Sequence, residues 1–288
     1  MTRITPLPIL LGLLSAGCGP SVRRGTEVAA VASATLPSDP ADRAWDDAPE
    51  FAAKLLPQDL VEPRLMKAST PEVLVRAFTS GAAIAFRLEW TDADQNDLPG
   101  AGRFLDACAI QIPAKIEPDP PDPQMGSQGK PVEISYWRAD WQASVNGRPD
   151  TIQAVFPNAT VDHYPFEAHS LAPGSDEQKE FARRYAPADA AGNRRVGPRA
   201  APVEDLLAEG PGTLAPAGKT VSSGRGAFGS QAGGKTGWRV MITRPLPDGL
   251  APKTRTLVAF AVWQGSQQES GARKMRTGWN PLSVKEAK

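Results

Sequence analysis

The chain has 288 residues, 41% of them hydrophobic, with 32 Lys and Arg balanced by 32 Asp and Glu. That much apolar material builds at least one sizeable core, while zero net charge leaves no positive field of the kind that draws nucleic acid or an anionic membrane surface. The 29 prolines and 26 glycines interrupt helices too often for a helical bundle, so short strands joined by turns are expected.

Residues 1–17, MTRITPLPILLGLLSAG, carry one positive charge at Arg3 and then an apolar run that ends in small residues. The pattern predicts an export signal. It is too short and too interrupted by proline for a spanning helix, which takes about 20 apolar residues. Leu14-Ser15-Ala16-Gly17-Cys18 resembles a bacterial lipobox, in which lipid joins the Cys18 thiol and cleavage leaves that residue at the new N-terminus. Several acyl chains hold firmly where a single one is marginal. Gly19 after the cysteine points to the outer membrane rather than the inner one, with the protein on the periplasmic side. Residues 18–40 are small and polar and read as a lipid-anchored flexible linker. Cys108 is the only other cysteine, which excludes an intramolecular disulfide beside a lipidated Cys18, a Cys-x-x-Cys-His haem attachment and a cysteine zinc site.

Residues 41–285 read as one folded domain. Strand-length apolar runs rich in β-branched and aromatic residues occur at Val73–Thr79, Ala83–Trp90, Ala107–Pro113 and Val132–Gln142. From Asn146 to Gly212 the periodicity is weak, and loops with one short helix, Asp176–Ala186, are expected. Strands return at Gly237–Leu246 and Thr256–Gly265. Without βα alternation, this order predicts an all-β fold: an antiparallel two-sheet β-sandwich with long loops and a short helix.

Few residues advertise chemistry by spacing. GSQAGGKTG lacks the Walker spacing and precedes a strand. His163 and His169 lie six apart in the irregular region, which suits neither one helix face nor a zinc pair. There is no Gly-x-Ser-x-Gly elbow, and Cys108 among alanines and Ile110 reads as a small buried hydrophobe.

A resemblance carries the reading further. In order, the chain shows Trp45-x-x-Ala48-Pro49, VRAFTSGAAIAFRLEWTD, RFLDACAIQIP, QMGSQGKPVEISYWRADW, VEDLLAEGPGTL, GWRVMITRPL and VAFAVWQGSQQESGARKMRTGW. Together these strings, spread from Ala44 to Leu282, resemble the haem-binding γ subunit of ethylbenzene dehydrogenase and of the related dimethyl sulfide, chlorate and selenate enzymes. The resemblance implies a β-sandwich holding one non-covalent haem b between a methionine and a lysine. It places the methionine at Met125-Gly126 and the lysine at Lys274, with Lys235 and Lys219 as alternatives. Arg273 and Arg276, beside the lysine, are candidates for charge-assisted pairing with the haem propionates, with solvated surface arginines as the alternative, and Trp137 is a candidate cofactor contact. A lysine that binds iron has to be neutral, so its amine has to be desolvated. With both axial positions filled, the implied role is electron transfer without catalysis. The implied partners are a molybdenum catalytic α subunit, an iron–sulfur β subunit and a cytochrome or quinone-linked carrier. The chain departs from the family pattern in its lipobox, in the enlarged region around DEQKEFARRYAPADAAGNRRVGPR and in Met275 after Lys274. A second reading is a haem-free carbohydrate- or surface-binding β-sandwich lipoprotein, in which some of the seven tryptophans stack on sugars.

Overall fold

The computed structural model describes residues 25–149, 152–158, 171–185 and 199–286. The export signal, Cys18, His163 and His169 lie outside the described residues. In chain order the first seven strands are β1 (Val28–Ala32), β2 (Phe51–Lys54), β3 (Leu56–Pro57), β4 (Glu72–Thr79), β5 (Ala83–Thr91), β6 (Ala107–Pro113) and β7 (Val132–Arg138). Three helices follow, α1 (Ala139–Val145), α2 (Ile152–Val155) and α3 (Asp176–Tyr185). The remaining strands are β8 (Val203–Ala208), β9 (Ala215–Pro216), β10 (Ser223–Ser230), β11 (Thr236–Pro245), β12 (Arg255–Trp263), β13 (Met275–Arg276) and β14 (Asn280–Lys285). No helix among the described residues is long and apolar enough to cross a membrane.

The hydrogen-bonded order is β10-β11-β5-β4-β1-β14-β12-β6-β7-β8-β9, with β2 on β4 and β13 bridging β12 and β3. β12 belongs to both layers. Its first half, Arg255–Val258, pairs with β14, and its second half, Ala259–Trp263, pairs with β6. The sheet thereby folds over on itself, and alternate side chains of the two layers meet in one core. Val73, Val75, Phe86 and Leu88 come from the first layer, and Cys108, Ile110, Trp137 and Phe260 from the second. Trp137 packs edge-on to Trp238 with ring centroids 4.9 Å apart.

The all-β architecture matches the expectation, and four details correct it. β1 runs parallel to both of its neighbours, β14 and β4, so the sandwich is not wholly antiparallel. β1 also lies inside the expected linker at 18–40. Its small side chains, which imitate a spacer, are what fit a strand buried between two others, and Val28, Ala29 and Ala30 are all buried. The expected strand Val132–Gln142 stops at Arg138 and turns into α1, because Gln142 uses its side-chain carbonyl to accept from Trp137 Nε1 at 3.2 Å and from the Gly226 amide at 2.7 Å. β8 falls within the stretch expected to be loops. Its acidic Asp205 faces the amides of Val221 and Ser222, both at 2.8 Å, rather than water. α3 appears at the expected helix, alongside the two unexpected short ones.

Candidate functional site

The outer face of the second layer stays apolar without a sheet to cover it. Ala107 and Ala109 of β6, Ile134 of β7, Leu206 and Ala208 of β8, and Ala261 and Trp263 of β12 form a second buried cluster there, with Met125, Tyr136 and Trp279 packed against it. Ala261 stands opposite Ala109, and Ala109 opposite Tyr136, so this row of the floor carries two methyl groups beside one aromatic ring. Above it opens a cleft of ≈ 610 Å³, a size within the roughly 300–1,000 Å³ of cofactor and ligand sites.

Met125 comes from the segment between β6 and β7. Its backbone has a φ of 74°, a left-handed conformation that costs a non-glycine residue on the order of 1 kcal/mol or more and persists only where the surroundings enforce it. They do. Gly126 N–H donates to Asp122 O at 2.9 Å and Gly210 N–H to Met125 O at 2.8 Å. Gln111 Nε2 donates to Pro123 O at 3.0 Å, and Trp279 Nε1 to Pro121 O at 2.7 Å. Gly126 has a φ of 85°, and a Cβ there would approach Ala208 O to 2.9 Å, so only glycine follows this methionine without displacing β8.

Lys274 comes from the segment between β12 and β13. Gln58 holds that segment, its amide donating to Lys274 O at 3.0 Å and its Nε2 to Ala272 O at 3.1 Å. Trp263 Nε1 donates to Gly271 O at 2.9 Å, and the same indole lies under the lysine, 5.3 Å from ring centroid to Nζ. Lys274 Nζ faces Met125 Sδ at 3.8 Å, across 149 residues of sequence. Burial, with a smaller push from Arg276, lowers the Lys274 ammonium to about 8.

A thioether is a soft, uncharged donor, and burial that lowers the Lys274 amine to about 8 eases its conversion into a neutral nitrogen donor. They are two donors, short of a full coordination shell, and no group of three or more His, Cys, Asp and Glu able to hold a metal occurs among the described residues. A metal at this point has to bring its own equatorial ligands on a flat carrier, and the apolar floor suits a flat apolar ring. The donor set and the cleft therefore fit a haem.

The other expected site residues are placed elsewhere. Lys235, in the turn before β11, and Lys219, beyond β9, are exposed and do not line the cleft. Lys219 borders a separate pocket of ≈ 290 Å³. Arg273 is not on the cleft wall, and its charge acts on Glu269 instead. Trp137 as a cofactor contact is corrected. It follows Tyr136, which faces the cleft, so β7 turns it the other way, fully buried in the intersheet core. Met275 is likewise core. Six of the seven tryptophans are buried and Trp279 is partly so; of the buried ones Trp263 borders the cleft. Sequence reading missed the alanine floor, Tyr136 and Gln58. The repeated Ala-x-Ala of β6 and β12 was the signal available for the floor.

Comparison with known proteins gives three findings. A family model described as ethylbenzene dehydrogenase matches residues 42–275. A protein of Haloferax mediterranei described as a respiratory nitrate reductase heme subunit, ORF7, is 24% identical over 291 residues, covering 96% of this chain and 81% of the relative. Two structures of a family 9 carbohydrate binding module from Caldicellulosiruptor kristjanssonii, one with glucose and one with cellotriose, align at TM-scores of 0.37 and 0.40. Their identities are 8% and 9%, over 92% of this chain and 97% and 95% of theirs.

Proposed function

We propose a function from one premise: the chain belongs to the ethylbenzene dehydrogenase family, among its haem-binding γ subunits. It is a haem electron-transfer subunit of an oxidoreductase complex. In the finer reading, the group would be haem b, and Met125 and Lys274 would hold its iron. The observation that carries this is the meeting of Met125 Sδ and Lys274 Nζ, 3.8 Å apart at the cleft.

Haem b supplies a one-electron couple. Met125 offers a neutral thioether, which favours reduced iron and raises the potential, from a proline-stiffened loop with little freedom left to lose. Lys274, lowered to about 8, gives up its proton at small cost and presents a lone pair. With its iron held by Met125 and Lys274, the bound group would exchange electrons without taking a substrate, and bond-making would belong to another subunit. An iron–sulfur cluster takes four cysteines, and this chain has two. The proposed partners are accordingly an iron–sulfur β subunit, a molybdenum α subunit and a cytochrome or quinone-linked carrier. Export to the periplasm and lipidation at Cys18 complete the proposal.

The test is the visible spectrum of the purified chain loaded with haem b, alongside Met125→Ala and Lys274→Ala. The expected result is a reducible low-spin haem in the parent that turns high-spin or is lost in each variant. A low-spin spectrum unchanged in either variant removes that residue as a ligand. A chain that takes up no haem removes the whole reading.

A further inference from the structure

β13 sorts three consecutive side chains by alternation. Met275 points into the intersheet core, so Lys274 and Arg276 on either side of it point into the cleft. Two cations thus share one half-buried, largely apolar wall. Arg276 makes no ion pair or hydrogen bond through its side chain among the described residues, and its Nε is enclosed without a partner.

Of the other charges of the cleft, Arg103 lies over the Phe156 ring, its guanidinium carbon 5.3 Å from the centroid, and is exposed to water; the rest are engaged. Arg138 is paired with Asp140 and stacks on Trp141, its guanidinium carbon 4.4 Å from the ring centroid. Glu62 pairs with Arg64 at 2.9 Å. Glu269 accepts from the Ser69 hydroxyl and from the Gln264 amide. An unpaired guanidinium beside a second cation, away from bulk water, is costly unless a ligand brings the counter-charge. A planar fork of N–H donors is best answered by a carboxylate.

From this we infer that Arg276 receives a carboxylate of the bound porphyrin, and that it, rather than Arg273, sets the preference of the cleft for porphyrins with free propionates. The inference rests on the haem reading. The axial pair would hold the iron of any iron porphyrin that fits, whereas Arg276 distinguishes an acid from its ester.

The experiment titrates the purified, haem-free full chain with haem b and with haem b dimethyl ester, following the absorbance of each. The parent is expected to bind the diacid about tenfold or more tightly than the ester, as loss of one charge-assisted contact requires. Arg276→Gln is expected to erase that difference by weakening the diacid alone, its unchanged ester affinity showing that the cleft is intact. Arg276→Lys restores part of the preference, and Arg273→Gln leaves it as in the parent. An equal loss for both porphyrins in Arg276→Gln, or an undiminished preference, overturns the assignment of Arg276 while leaving the haem reading in place. Failure of the parent to bind either porphyrin overturns both.

Discussion

Asp106, just ahead of β6, is fully buried, yet it accepts three hydrogen bonds: from the Asn96 amide at 2.7 Å, the Trp238 indole at 2.9 Å and the Gly265 amide at 2.8 Å. Those donors favour its charged form. Burial works against them, and the neighbouring carboxylate of Asp92 adds to it, so Asp106 rises from 3.8 to about 7. The folded protein therefore keeps this proton over a range where the unfolded chain has lost it. Its contribution to stability is complete below pH 3.8 and is lost as pH rises to about 7. Denaturant unfolding of the parent is expected to lose up to about 1.4 kcal/mol per pH unit from this residue across that window. Asp106→Asn removes that part of the slope. An identical pH profile in parent and variant would mean that Asp106 ionises alike in both states.

At the scale of elements, β10 shows how one layer makes room for the other. Its sequence, SGRGAFGS, carries more glycine than strands usually tolerate. The reason lies across the core. A Cβ on Gly226 would come within 2.3 Å of the Trp137 ring, and one on Gly224 within 2.6 Å of Val203. The indole occupies the space that a side chain of β10 would fill. Gly226→Ala is expected to destabilise the protein by about 1–3 kcal/mol through overpacking, read as a fall in thermal midpoint. A midpoint equal to the parent's would show that the layers can separate freely at this point.

Legibility in the sequence follows the same physics. β4, β5, β6, β11 and β12 carry large apolar residues and are recognisable alone. β1 is built of alanine and valine, and β10 carries glycines where Trp137 and Val203 lie close; a small-residue run looks like a spacer until its neighbours are known. Met125 and Lys274 share no spacing that could link them, since they meet only after β6, β7 and β12 are aligned. Family resemblance singled them out, whereas strand parity alone would have removed Trp137, one residue after Tyr136, from the site.

For the molecule as a whole, β1 is the first strand of the described residues. It fills the gap between β4 and β14 in the middle of the sheet, and without it two unpaired strand edges would face solvent. A chain beginning at Gly25 is expected to unfold cooperatively on heating, whereas one beginning at Ala41 is expected to lose that transition and aggregate. Cooperative melting of the shorter chain at the same midpoint would make β1 dispensable.

The same placement has a geometric consequence outside the fold. Seven peptide steps separate Cys18 from Gly25, a reach of at most about 25 Å even when fully stretched. A spacer running on to residue 40 would have allowed about 80 Å. A chain of this length folds to a radius of gyration of about 19 Å, so a tether through Cys18, as proposed, would be comparable to the half-width of the body. A lipid on Cys18 would leave the protein little freedom to roll, and the end carrying Val28 would stay turned toward the bilayer. Any redox partner would then have to find the cleft on a molecule that lies at anchor, with its approach directions limited by the membrane itself.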